Sequence, residues 1–303
     1  MAFNIVTILI LLLLLPTEAF AWGIGVHLQL GSQILEQTAL LPLSLQTILM
    51  NNPHDFLYGC ISADITLGKK YTHHLRNCHS WRMGKKILDA ADSDRQRACA
   101  YGYLAHLAAD TVAHSYFVPF KMIRTFNTVM LKHTYWEVRV EACVEEKIWL
   151  LAREIAQKNF TVNDTMMRQV LSNTLFSFGT NKRLFNSLLL LNRLQQWQKM
   201  IRSLSTNSKW TLPEENLNEY LSLAGEAVFS VLSDPESPYL QADPTGARSL
   251  NAARILRKNL KTLWQSGKLT EAEIENYLNE LRPKFRQGIL RQKQILELLS
   301  DES

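Results

Sequence analysis

The 303 residues carry 47% hydrophobic side chains, enough to fill the core of one large domain or two smaller ones. Past the first 21 residues no run approaches the roughly 20 apolar residues of a membrane span, which excludes a multi-span membrane protein. The net charge of +5 suits anionic partners and excludes neither phospholipid nor nucleic acid.

In chain order, residues 1–21 match a secretory signal peptide: an apolar run Ile5 to Leu15, then Pro16, then the small-residue pattern Ala19-Phe20-Ala21. No Lys or Arg precedes the run, so an uncleaved anchor stays open as the alternative. Cleavage would remove only Glu18 among charged residues, raise the charge to +6 and leave Trp22 first. The new end is Trp22-Gly23-Ile24-Gly25-Val26-His27. A free α-amine beside its own carbonyl oxygen is a chelate, and the imidazole of His27 stands ready to complete a metal site that export creates.

Helical periodicity dominates and period-two patterns are scarce. Val26 to Leu35 and Leu41 to Met50 predict the first helices, the second ended by Asn51-Asn52-Pro53. Phe56 to Ser80 reads as a long irregular loop, with Gly59, Gly68 and the polar stretch Lys69 to His74, which metal binding would order. Helices are expected to resume at Trp81 to Ala90, at Arg95 to Tyr116 with a halt near Pro119, and at Met122 to Gln157 with a break. Met166 to Ser177, Lys182 to Ser203 and Glu214 to Leu232 follow. Asp234 to Thr245 reads as a linker or surface loop, and Asn251 to Trp264 and Glu271 to Leu299 as charged amphipathic helices. The expected fold class is all-α, with 22–232 as a catalytic domain and 233–303 as a helical C-terminal extension.

Cys60, Cys78, Cys99 and Cys143 in an exported chain predict one or two disulfides, with three full pairings open. No CxxC pair suggests a thiolate zinc site. Asn159-Phe160-Thr161 and Asn163-Asp164-Thr165 match the glycosylation pattern, which counts only in a eukaryotic source.

The chemistry concentrates in histidines and acids at one-turn spacing. His106, Asp110 and His114 are four apart, on one face of a predicted helix whose intervening residues are Ala, Leu, Val and Thr. Polar groups in so apolar a helix cost several kcal/mol unless compensated, and divalent cations are the natural compensation. His133 and Glu137 repeat the spacing on the next helix, with Glu141 one turn on as the alternative acid. Asp64 and His79 come from the irregular segment, His79 being preferred over His73 and His74 because it lies between Cys78 and Trp81 just before a helix.

This order of residues, an N-terminal Trp22 followed by His27, Asp64, His79, His106, Asp110, His114, His133 and Glu137, resembles the zinc-dependent phospholipase C family. That family includes bacterial phosphatidylcholine-hydrolysing enzymes and the N-terminal domain of glycosylphosphatidylinositol-specific phospholipase D. The S1/P1 single-strand nucleases, its sister group, begin with a similar Trp-Gly-x-x-x-His segment. The resemblance implies a multi-helix bundle around a trinuclear zinc site. Asp64, His79, His106 and Asp110 would hold one zinc; His114, His133 and Glu137 a second; the Trp22 amine and carbonyl, His27 and Asp110 a third. His114 departs from the family, where the second histidine usually follows the bridging aspartate by six residues rather than four. Glu137 favours the phospholipase branch, since the nucleases usually carry aspartate there.

The implied activity is secreted or periplasmic hydrolysis of a phospholipid at the membrane surface, with Asp64 as general base to zinc-activated water and no stable nucleic-acid partner. A nuclease on the same zinc site and a non-catalytic metal-binding relative are the alternatives. Phe56, Tyr58, Tyr71 and Tyr116 are candidates for an aromatic wall around a quaternary ammonium, with core aromatics the preferred reading. Arg254, Arg257, Lys258, Lys261, Arg282, Lys284, Arg286, Arg291 and Lys293 read as solvated helix faces interrupted by Glu271, Glu273, Glu275 and Glu280.

Overall fold

A computed structural model describes residues 22–65, 78–128, 133–171, 180, 182, 212 and 214–300. The expected signal peptide, His73, His74, Tyr71 and the predicted helix from residue 183 to 203 lie outside them. The described elements are helical, with no strand among them, and the all-α expectation holds. In chain order they are α1 (Ile24–Glu36), α2 (Leu43–Asn51), α3 (Pro53–Ser62), α4 (Trp81–Asp89), α5 (Asp94–Val112), α6 (Val118–Arg124), α7 (His133–Glu141), α8 (Glu146–Gln157), α9 (Thr161–Val170), α10 (Glu214–Ser233), α11 (Ala247–Gln265), α12 (Glu271–Gly288) and α13 (Gln292–Ser300).

A rod made of α5, a π turn over Ala113–Phe117, and α6 is the spine. Helices α1, α2, α3, α4, α9 and α10 pack around its α5 half, and α7, α11 and α12 around its α6 half. Small buried residues on α5, including Ala98, Gly102, Ala105 and Ala109, let the neighbours approach closely. The tightest approach is to α3. A Cβ on Gly59 would stand 2.0 Å from the Cys99 carbonyl oxygen, and one on Gly102 would stand 2.0 Å from that of Phe56.

That contact overturns the loop reading over Phe56 to Ile65; residues 66–77 of the same expected loop lie outside the described residues. Residues Pro53 to Ser62 are helix, opened by Pro53 in the first turn with Asp55 beside it, and followed by a 3-10 turn at Ala63–Ile65. Asp55 through Ser62 are all buried, so the segment has no polar face and carries no helical stripe to find. Its glycine serves close packing rather than a turn. The halt near Pro119 is likewise corrected. The chain runs on into α6, because the wide turn before it places Pro119 in a first helical turn, where the missing N–H is no loss.

The linker reading of Asp234 to Thr245 gives way to a packed segment. Tyr239 is buried in a short 3-10 turn, and the Ala242 carbonyl accepts the Trp81 indole N–H at 2.8 Å. Glu271 to Leu299 is two helices, with Pro283 inside the first and a break at Ile289 to Arg291. The four cysteines are not joined in disulfides, against the expectation. Asn163 is buried with its amide donating to Asp55 at 2.7 Å, which takes it out of reach of glycosylation. Phe56, Tyr58 and Tyr116 are core residues, and Arg282 donates to the Tyr116 hydroxyl at 3.0 Å instead of standing on a solvated face.

Candidate metal centre

Four elements converge on one buried point. Helix α1 brings His27 from its first turn, the 3-10 turn after α3 brings Asp64, the bend before α4 brings His79, and α5 brings His106 and Asp110. Each of the five is at most 3% exposed, deep enough that every ionic charge there must find a counter-charge. His106 lies at the middle: its ring stacks on that of His27 with centroids 3.8 Å apart, and its Nε2 is 3.0 Å from Nε2 of His79. Asp110 Oδ2 lies 3.2 Å from His106 Nε2 and 3.4 Å from His79 Nε2, and Asp64 Oδ1 lies 3.3 Å from His79 Nε2. On the far side, Asp110 Oδ1 faces His27 Nε2 at 3.4 Å, and neither atom has a hydrogen bond.

Hydrogen-bond logic shows what this arrangement suits. The His106 Nδ1 lies 2.8 Å from the Cys60 carbonyl, which can only accept, so the ring proton sits on Nδ1 and Nε2 is a lone pair in the neutral ring. That lone pair points among Asp110 and Asp64 oxygens and a second imidazole nitrogen. So many acceptors around one volume call for a cation, and a carbonyl fixing the tautomer from behind is the usual support of a metal-bound imidazole. The ligand atoms of His27, His106 and Asp110 lie within 4.8 Å of one another, as do those of Asp64, His79 and His106. His79 takes its own support from Cys78, whose Sγ is 3.3 Å from Nδ1.

Electrostatics agree with the geometry. Burial, then the neighbouring His106, lowers the pKa of His27 and keeps it a neutral ligand-type imidazole. Burial opposes the Asp110 carboxylate, but the charge that His106 carries when protonated and the hydrogen bonds that His106 and His27 then offer, with His114 beyond, outweigh it and hold its pKa well below the usual carboxylate range.

Residues 26–182 match the family model for zinc dependent phospholipase C, which spans more than half of the chain. The chain belongs to that family. No curated protein and no solved structure matches it.

In this zinc-dependent phospholipase C family member the other predicted ligands have distinct settings. Trp22 is fully buried, its indole N–H donating to the Ala109 carbonyl at 3.1 Å and its ring stacked on Phe117 at 4.8 Å. Its indole thereby contacts the residue that precedes Asp110. His114 is buried in the π turn. Its Nδ1 lies 2.6 Å from the Pro244 carbonyl, again with the proton on Nδ1. Glu137 is buried on α7. His133 opens the same helix, and its side chain lies outside the described residues.

Three supports escaped the sequence reading. Pro244 belongs to the segment taken for a linker. Gly246, at φ 55°, lets that segment press on His114, since a Cβ there would stand 2.2 Å from the His114 carbonyl oxygen. The stretch Asp243-Pro244-Thr245-Gly246 carries turn-type residues, but nothing local says what it touches. Glu141 is the third: its Oε2 accepts the Gly25 N–H at 3.1 Å and its Oε1 that of Val26 at 3.0 Å. Both oxygens are thereby committed to α1.

Proposed function

We propose that this chain is an exported phosphodiesterase of the phospholipase C type, hydrolysing the glycerol-side P–O bond of a phospholipid to release diacylglycerol and a phosphorylated headgroup. The observation that carries the reading is the buried knot of His27, Asp64, His79, His106 and Asp110, in a family named for zinc and for this reaction. Asp64, His79, His106 and Asp110 would hold one zinc, and the Trp22 amine and carbonyl with His27 and Asp110 another. His114, His133 and Glu137 would hold the third, Glu137 being the acid left for it once Glu141 is engaged by α1. Zinc supplies Lewis acidity: it offsets phosphodiester charge and makes water a nucleophile near neutral pH.

The protein's own groups do the rest. Asp64, at the edge of the knot, takes the proton of the attacking water as general base. Asp110, with two oxygens turned to two sets of imidazoles, fixes both halves of the centre at once. The Cys60 and Pro244 carbonyls hold the His106 and His114 rings in the tautomer that presents Nε2. Removal of residues 1–21 frees the Trp22 amine, so export is part of activation.

The test is turnover of phosphatidylcholine vesicles and of single-stranded DNA by the zinc-loaded protein, with and without chelator. Lipid hydrolysis abolished by chelation is expected. Activity on DNA alone would move the assignment to a nuclease, and zinc binding without either turnover to a non-catalytic relative. Asp110→Asn is expected to lose metal and turnover together, read by elemental analysis. Asp64→Asn should cut turnover by more than it cuts zinc content.

A further inference from the structure

Helix α1 begins without a cap of its own. Gly23, the residue before it, has no side chain to satisfy the first-turn N–H groups, which elsewhere is the work of Ser, Thr, Asp or Asn. The acceptor comes instead from Glu141 at the end of α7, more than a hundred residues away, with one oxygen for the Gly25 N–H and the other for Val26. The notch that receives it is shaped for it. A Cβ on Gly23 would stand 2.2 Å from Glu141 Cδ, and one on Gly25 would stand 2.8 Å from Glu141 Oε2 and 2.9 Å from the Trp149 ring. Any side chain at either position displaces the carboxylate or the indole wall behind it.

The clamp lies between two predicted ligands on one short segment. Trp22 is tied on one side through its indole to Ala109, and His27 faces Asp110 on the other. Between them the backbone is held by the Glu141 carboxylate. Helix α7 also carries His133 and Glu137, so Glu141 ties the helix of one proposed zinc position to the helix of another. A carboxylate at a helix N-terminus also meets the positive end of the macrodipole.

From this geometry we infer that Glu141 is a positioning residue for the Trp22 and His27 half of the metal centre, acting through the Gly25 and Val26 amides and not as a ligand. The inference rests on the metal assignment proposed above. It excludes Glu141 from the zinc position of His114, His133 and Glu137, where Glu141 is the alternative acid to Glu137.

The experiment compares the zinc-loaded mature protein with Glu141→Ala, Glu141→Gln and Gly23→Ala. The readouts are zinc stoichiometry by native mass spectrometry, zinc affinity by competition with a chelator, and amide exchange at residues 25 and 26. Glu141→Ala should weaken one zinc by about 10- to 100-fold, the range seen when an outer support of a metal ligand is removed. The remaining zinc should stay bound, and the Gly25 and Val26 amides should exchange faster. Glu141→Gln, keeping one acceptor oxygen, should fall between wild type and Ala. Gly23→Ala leaves the carboxylate on α7 and pushes it out of the notch, so it should give the same selective loss even where Glu141→Ala folds poorly. Unchanged affinity for every zinc in the Ala and Gly23 variants overturns the inference. So does an equal loss of all zinc that tracks a fall in melting temperature and is not relieved by Gln. A wild-type protein that binds no zinc fails earlier, and takes down the metal assignment and the inference together.

Discussion

Helices α5 and α11 are both 19 residues long, and they treat polar side chains in opposite ways. In α5, 13 of the 19 residues are buried and His106 and Asp110 are among them; in α11, 5 of 19 are buried and none is ionisable. Helix α11 carries Arg248, Arg254, Arg257, Lys258 and Lys261 with no acid, and keeps an inner stripe of Ser249, Ala252, Ala253, Leu256 and Leu260. It is an ordinary amphipathic helix, stabilised by burying one side. From Ala98 onward helix α5 is buried nearly all round, so any polar group on that length must be satisfied inside. The contrast teaches where chemistry sits: on the buried length of α5 a polar residue is there because something compensates it, and on α11 the charges stand outside the buried stripe.

The sharpest way to break the buried side is Gly59→Ala or Gly102→Ala. Each places a Cβ 2.0 Å from a backbone oxygen, which no rotamer change relieves, so α3 and α5 must part. A loss of about 3 kcal/mol or more is expected in chemical denaturation. Zinc affinity should fall with it, because the Cys60 carbonyl that orients His106 moves with α3.

Next is Lys121, a buried cation on α6 whose ammonium stands 5.1 Å over the Trp136 ring and 5.7 Å over that of Tyr220. Burial lowers its pKa from 10.5 to about 7, with Arg124, Arg282 and Arg139 adding repulsion and Glu219 opposing them. A base depressed in the folded state gives its full stability above the unfolded pKa and loses it as pH falls through the folded one. Lys121→Met is therefore expected to be more stable than wild type by a few kcal/mol at pH 6. The difference should shrink as pH rises from about 7 and level off near 10.5, read from melting temperatures across that range.

The C-terminal side should respond more mildly. Thr270 and Glu273 form a reciprocal capping box at the start of α12, and Thr270→Ala should lose about 1 kcal/mol with zinc content unchanged. Arg124→Ala removes the half-exposed pair with Glu275 and should shift stability by about 0.5 kcal/mol or less. A large effect on zinc from either variant would erase the distinction between the two regions.

Legibility follows the same divide. Helices α1, α4, α10 and α11 were readable from their stripes to within a few residues at their ends, since each keeps a wet side. Helix α3 was not, because burial on every side removes the periodicity and Gly59 looks like a turn residue when its partner helix is unseen. The knot of His27, Asp64, His79, His106 and Asp110 was legible as a set of residue types in order, and these five do meet. His114 stands four residues on from Asp110 inside a π turn, a winding that an α-helical spacing argument does not contain.

By itself the amino-acid order determined the helical class, the ligand-type residues and the need for something to compensate them, because composition, periodicity and side-chain chemistry are local properties. Tertiary structure alone decided which carbonyl orients which imidazole, that Pro244 and Gly246 brace His114, and that Glu141 caps α1. Those contacts join residues from 46 to 132 positions apart, and no local pattern encodes which distant oxygen a given N–H will meet.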